Sequence, residues 1–183
     1  MISIKMKFNK MPIEWVYEVV FDVFQDERWS FIKTFHSEIF KEIGFVWNFK
    51  ESFYSISKKD VIRWMYFQLP PFDHDKFVYV IQWAINDVIL DLRKGSPTYG
   101  QSITLELSAD RHNWVFIPQW LAHWFSVSSD IAISLYMNTT IYNKDHDTWI
   151  RRDSFGHNRW ISEPIMSERD KNLIKLEDFS SPF

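Results

Sequence analysis

An all-β jelly-roll barrel is the fold this sequence predicts, on three observations. Most of the chain is short apolar or alternating segments rich in Val, Ile, Phe and Tyr; polar turns separate them; and few stretches carry a helical signature. Strand-like runs fall at 15–24, 45–54, 61–68, 76–81, 85–92, 101–107, 114–117, 124–127 and 132–142. One helix is expected at 37–43, where Ser37 can cap the start and Gly44 can supply the left-handed residue after the end. A second short helix is expected after Ser167. No repeat, low-complexity stretch or linker interrupts the chain, so residues 1–183 read as one domain. The mouth of such a barrel can hold one small ligand.

Composition narrows the function. The 183 residues, 46% of them hydrophobic, suffice for one real core. Lys and Arg number 21 against 24 Asp and Glu, which leaves no cationic surplus for a nucleic-acid partner. Cysteine is absent, which removes disulfides, thiolate metal sites and cysteine nucleophiles. The N-terminal residues lack the apolar core of a secretion signal, and no apolar run approaches membrane-spanning length. A cytoplasmic protein without a membrane partner is expected. The alternating Asp73-His-Asp75 and Asp145-His-Asp147 have metal-ligand chemistry, but loop residues of this kind are usually solvated, so no metal and no cofactor is expected.

The central segment Asp91-Leu-Arg-Lys-Gly-Ser-Pro-Thr-Tyr-Gly100, followed by Leu105-Glu-Leu-Ser-Ala109, resembles the dTDP-4-dehydrorhamnose 3,5-epimerase family. Flanking matches keep the family's order: Asp26-Glu-Arg28, Val61-Ile-Arg63, Gln68-Leu-Pro-Pro71, Lys76, Ile117-Pro118, Ala122-His123, Leu135-Tyr136 and Glu163-Pro-Ile-Met-Ser-Glu-Arg-Asp170. The resemblance covers roughly residues 12–183 and implies a cupin-type barrel, a nucleotide-sugar substrate and a homodimer. It also implies a reaction in which a base removes the proton α to a sugar ketone, cations hold the enolate, and an acid returns a proton to the opposite face. Tyr136 matches the family's acid, Lys76 its enolate-stabilising lysine, and Asp170 the carboxylate that orients its histidine base. Arg28, Phe31, Arg63, Gln68 and His123 match positions that touch the substrate or support those that do, and Tyr142 joins them as a candidate contact. Each has a plainer reading beside it: Tyr136 and Tyr142 suit a barrel lining, Ser167 with Asp170 suits a helix cap, and Arg28 and Lys76 suit solvated charges.

Two departures from the family pattern matter. Where relatives carry a histidine base, the run Arg63-Trp-Met-Tyr-Phe-Gln68 places Tyr66, and an unperturbed tyrosine, with a pKa of about 10, is a poor base at neutral pH. Glu51, Phe53 and Lys33 replace a Gln, an Asn and a Glu. Secondly, the chain has ten Trp and four Gly. Trp15, Trp29, Trp64, Trp83, Trp120, Trp124, Trp149 and Trp160 fall where relatives usually carry glycine, while Arg152 and Arg159 fall where they carry tryptophan. Translating UGA-glycine and CG-purine-tryptophan codons with the wrong table, one that reads UGA as tryptophan, makes both changes together, whereas divergence into an aromatic-lined pocket leaves the arginines unexplained. Gln82-Trp83 lies between two strand-like runs, where a tight hairpin wants a residue that tolerates positive φ.

The reading that results is an epimerase of a nucleotide-linked 4-keto-6-deoxy sugar serving surface-polysaccharide synthesis, with slow turnover for want of the histidine. The competing reading is a family member that binds nucleotide sugars without catalysis.

Overall fold

A computed structural model describes residues 6–42, 44–46, 48–157, 164–165 and 173–183, apart from the side chains of 64, 65 and 152. Asp170, Arg159, Trp160 and the helix expected after Ser167 lie outside the described residues, as do the side chains of Trp64 and Arg152. In chain order the elements are β1 (Met6–Lys10), β2 (Tyr17–Phe21), β3 (Val23–Asp26), β4 (Trp29–Ile32), α1 (Ser37–Glu42), β5 (Glu51–Lys58), β6 (Ile62–Gln68) and β7 (Lys76–Gln82). They continue with β8 (Ala84–Asp91), β9 (Ser102–Ser108), β10 (Asn113–Ile117), β11 (Leu121–Val127), β12 (Ile131–Asn138) and β13 (Asp147–Ile150). A six-stranded sheet runs β1-β2-β10-β7-β12-β5, a five-stranded sheet runs β13-β6-β11-β8-β9, and β3 and β4 form a two-stranded sheet. The pairings between these strands are antiparallel, which gives the all-β, cupin-type architecture the sequence predicts.

Three apolar layers hold the sheets. Between them lie Val78, Val80, Ile85, Ile89, Leu121, Phe125, Val127 and Ala132. Outside the five-stranded sheet, Trp124, Leu90 and Phe67 pack against the C-terminal Leu176, Phe179 and Phe183. Outside the six-stranded sheet, Phe77, Trp114 and Phe116 pack under Phe40 of α1 and Phe8 of β1. Much of the aromatic excess is spent in this last layer, where Phe40 meets Phe77 edge-on at 5.4 Å and Tyr79 stacks on Trp114 at 4.4 Å.

Burial on both faces hides some strands from the sequence pattern. The whole of β11 is buried, so Leu121-Ala-His123 shows no alternation and the sequence places the strand's start at 124. The expected strand at 45–54 is Glu51–Lys58 instead: Phe45 and Phe49 are apolar because they cover Phe116 and Phe77, not because they pair in a sheet. The run at 15–24 divides at Asp22 into β2 and β3, β12 stops at Asn138 rather than 142, and β1, β4 and β13 were not foreseen. Helix α1 has the expected place, but the carbonyl of His36, not a group of Ser37, accepts its first bonds, and Gly44 closes it at φ 89°.

The most recognisable motif is structural. Asp91, fully buried at the end of β8, accepts hydrogen bonds from Arg93 N, Nε and Nη2 at 2.9, 2.9 and 2.8 Å. The hydroxyls of Ser96 and Thr98 reach the same carboxylate at 2.7 and 2.6 Å, so the β8–β9 connection is wound around one anion. Burial alone raises the Asp91 carboxyl, but the bonds from Arg93, Thr98 and Ser96 outweigh it and hold the group below its ordinary value.

Three of the anomalous tryptophans have positive φ: Trp15 at 69°, Trp29 at 109° and Trp83 at 63°. Trp83 forms the tight β7–β8 turn, where its side chain crowds its own backbone. Among the described residues Trp120, Trp124 and Trp149 do not share this backbone. Trp124 is instead buried with its Nε1 unpartnered, so a bulky ring there costs a hydrogen bond rather than a strained turn.

Candidate functional site

The inner faces of the two sheets part at one end to leave a cavity of about 530 Å³. Strand periodicity fills it. On β7 the inward residues are Lys76, Val78 and Val80, so the same face that supplies core aliphatics nearer the centre supplies an ammonium at the open end. Pairing aligns these residues with those of β12 and β5 in rows: Lys76–Asn138–Glu51, then Val78–Tyr136–Phe53, then Val80–Ser134–Ser55. The opposite wall is β6 and β11, where Tyr66 pairs with His123 but Arg63 pairs with Phe125. Three residues of β6 therefore span two of β11. This bulge turns Arg63 and Tyr66, which a regular strand would send to opposite faces, into the same cavity.

Lys76 is buried and donates from Nζ to the Tyr66 carbonyl at 2.9 Å. Burial pulls its ammonium down to about 8, against the opposing pull of Asp87 and Asp147. His123 is also buried, with Nδ1 at 3.3 Å from Asp87 Oδ2. An ionised carboxylate only accepts, so the imidazole proton belongs on Nδ1 and Nε2 keeps its lone pair. Burial lowers the His123 pKa, opposed by Asp87 and assisted by Lys76, which favours the neutral ring. Tyr136 stands on the other sheet, 6.1 Å from the His123 ring and stacked on Phe53 at 4.7 Å. Burial pushes its phenol well above the ordinary value, so it remains a proton donor.

Around these groups the polar contacts are mostly struts. Gln68 accepts from Asn143 N at 2.6 Å and donates to the Phe72 and Ile141 carbonyls at 2.7 and 3.2 Å, which ties β6 to the chain after β12. Arg63 donates to Ser57 Oγ at 2.9 Å and to the Ile56 carbonyl at 3.3 Å. The Tyr142 hydroxyl reaches Asp147 at 3.3 Å. His74 borders the cavity with Nδ1 beside Gln68 Nε2, and burial, with Lys76 and His123 nearby, brings its pKa down to about 3.

Of the residues singled out in the sequence, Lys76, Tyr66, Tyr136, Arg63, Gln68, His123 and Tyr142 border this cavity. Arg28 and Phe31 do not. They sit on the β3–β4 hairpin, where Arg28 pairs with Asp26 and its side chain is 89% exposed, and Phe31 is 58% exposed beside Phe24. The hairpin pairs with neither large sheet, so its residues are not carried to the cavity of their own chain. Asp87, His74 and Asn138 were missed. Asp87 had a signal, since it falls between Ile85 and Ile89 on the inward face of β8. The two Asp-His-Asp runs disperse: Asp75 accepts from Gln119 N, Thr139 Oγ1 bonds the Asp75 backbone, and His146 bonds Asn143. Among the described residues no three His, Asp or Glu side chains gather to hold a metal, and no helix is long and apolar enough to cross a membrane.

A family model described as dTDP-4-dehydrorhamnose 3,5-epimerase matches residues 10–178. A protein of that name from Methanothermobacter thermautotrophicus is 34% identical over 179 residues, covering 95% of this chain and 96% of its own. The crystal structure of the Bacillus anthracis dTDP-4-dehydrorhamnose 3,5-epimerase with TDP and pyrophosphate bound superposes with a TM-score of 0.90 at 29% identity, over 93% of this chain and 99% of that one. A Legionella pneumophila dTDP-6-deoxy-D-glucose-3,5-epimerase in complex with dTDP-4-keto-L-rhamnose gives 0.91 at 26% identity, over 96% and 95%.

Proposed function

Because the chain belongs to the dTDP-4-dehydrorhamnose 3,5-epimerase family, we propose that it epimerises a dTDP-linked 4-keto-6-deoxy sugar in the cytoplasm, the whole chain acting as one catalytic domain. The observation that carries this reading is the opposition of two proton-handling groups across one cavity. His123, with Asp87 behind it, stands on the five-stranded sheet and Tyr136 on the six-stranded one.

A ketone between the sheets with its oxygen towards Lys76 presents an α-proton to His123 Nε2. The imidazole takes that proton, Asp87 stabilises the imidazolium, and the ammonium of Lys76 neutralises the enolate oxygen. Tyr136 then returns a proton from the opposite face and inverts the carbon. Arg63, exposed on the border of the cavity, has the charge for the diphosphate. His123 thus takes the part that the histidine replaced by Tyr66 would play, and the imidazole beside a carboxylate favours catalysis over binding alone. Incubation in deuterium oxide with dTDP-4-keto-6-deoxyglucose tests this: deuterium enters at C3, C5 or both. A protein that binds the nucleotide sugar yet exchanges no proton contradicts the proposal.

The working unit in this reading is a homodimer. Strand β5 is a sheet edge with Tyr54 and Ile56 exposed at 64% and 54%, and the unpaired hairpin carries Trp29 and Phe31 into solvent. A second copy against these surfaces would cover them and give Arg28 and Phe31 an anionic ligand to reach. Light scattering expects twice the chain mass, and a monomer at micromolar concentration contradicts it.

A further inference from the structure

Asn138 has no part in the chemistry above, yet it sits within it. The carboxamide borders the cavity, is only 6% exposed, and lies in the row directly between Lys76 and Glu51. Its Nδ2 turns to Glu51 Oε2 over a long 3.5 Å, and its Oδ1 is buried without a hydrogen-bond partner. Buried carboxamide oxygens are nearly always satisfied, so one left open beside a ligand cavity calls for a donor from the ligand. Glu51, which also borders the cavity, adds a carboxylate that only accepts. The row therefore offers a cation, then an acceptor, then a second acceptor.

We propose that Asn138, backed by Glu51, is a specificity-determining acceptor for the hydroxyl on C3 of the sugar. The inference rests on the sugar-nucleotide reading above. A 4-keto-6-deoxy sugar has a carbonyl acceptor at C4, a hydroxyl donor beside it on C3, and no donor on the other side, where C5 bears a methyl group and the ring oxygen. Laid across the row, the ketone oxygen meets Lys76 and the neighbouring hydroxyl meets Asn138, and the reverse orientation leaves Oδ1 open. The contact fixes which way the ring lies. It places C3 towards β12, where Tyr136 is two residues away on the same face.

The test is calorimetric binding of three unreactive probes: dTDP, dTDP-6-deoxyglucose and dTDP-3,6-dideoxyglucose, which lacks the 3-hydroxyl. The parent protein should prefer the 3-hydroxy sugar over the 3-deoxy sugar by about 5- to 30-fold, the range of one well-placed hydrogen bond. Asn138→Ala should erase that preference by weakening the 3-hydroxy sugar alone, with dTDP and the 3-deoxy sugar bound as before. Asn138→Asp keeps an acceptor and should keep the preference, even where its charge weakens all three probes. Equal losses for all three probes in Asn138→Ala would make the residue structural and overturn the proposal, as would a parent that binds dTDP but shows no preference. A parent that binds neither dTDP nor either sugar would overturn the sugar-nucleotide reading itself and this inference with it.

Discussion

Replacing Asp91 with alanine removes the anion around which the β8–β9 connection is wound and leaves Arg93, whose side chain is 14% exposed, without its carboxylate. Ser96 and Thr98 lose the same acceptor. Breaking a buried ion pair by deleting one partner costs about 3–5 kcal/mol, and that figure already contains the stranded donors, so the separate hydrogen bonds are not added to it. For a chain of 183 residues, about 2–4 °C per kcal/mol converts this to a fall in Tm of roughly 6–20 °C. Chemical denaturation at neutral pH measures the loss directly. The dependence on pH has a definite sign. Asp91 is held below its ordinary carboxyl value, so its contribution is complete above the unfolded carboxyl range and is lost as pH falls through the lower folded value. The parent and Asp91→Ala should therefore converge in acid. A loss under about 1 kcal/mol at neutral pH, or a difference that widens in acid, would refute the structural role assigned to the motif.

Lys76→Met should lower the rate of α-proton exchange by about 10²- to 10³-fold with the fold intact, measured by deuterium wash-in. Because the Lys76 ammonium is brought down to about 8, exchange in the parent should fall as pH rises through that value, and Lys76→Met should lack that alkaline limb. Tyr66→His should raise exchange by adding a second imidazole opposite Tyr136, while Tyr66→Phe should leave it near the parental rate; a phenylalanine variant without exchange would place the phenol in the chemistry. At the β7–β8 turn, Trp83→Gly should be more stable than Trp83→Ala by about 1 kcal/mol in thermal denaturation, since alanine keeps the penalty of positive φ and glycine does not. The codons of Trp15, Trp29 and Trp83 should read UGA, which sequencing of the gene checks; UGG at all three would leave divergence as the account.

The barrel was legible because its two-residue period survives wherever one face is less apolar than the other, as in β12, where Ala132, Ser134, Tyr136 and Asn138 alternate with less buried residues. It faded where both faces are covered, as in β11, and where apolar residues such as Phe45 and Phe49 serve as a cover over a sheet. Lys76, His123 and Tyr136 were found through resemblance, since nothing in their spacing says that strands far apart in sequence bring them together. The inward turn of both Arg63 and Tyr66 depends on a bulge that the run Arg63-Trp-Met-Tyr66 does not announce. Asn138 was invisible for a related reason: its neighbours Lys76 and Glu51 are set by register alone. The positive φ at Trp83 follows from the sequence because a tight two-strand turn leaves few backbone choices.

In the proposed reaction, two groups on opposite sheets exchange a proton with one carbon. Its most direct test follows both deuterium incorporation and inversion of dTDP-4-keto-6-deoxyglucose in deuterium oxide for the parent, His123→Asn and Tyr136→Phe. His123→Asn should lose incorporation and inversion together, by about 10²- to 10⁴-fold. Tyr136→Phe should keep incorporation with retained configuration, because the enolate still forms and is reprotonated from the His123 side, and should lose inversion. A His123→Asn variant that inverts at the parental rate, or a Tyr136→Phe variant that inverts as fast as it exchanges, would rule out this pair of groups.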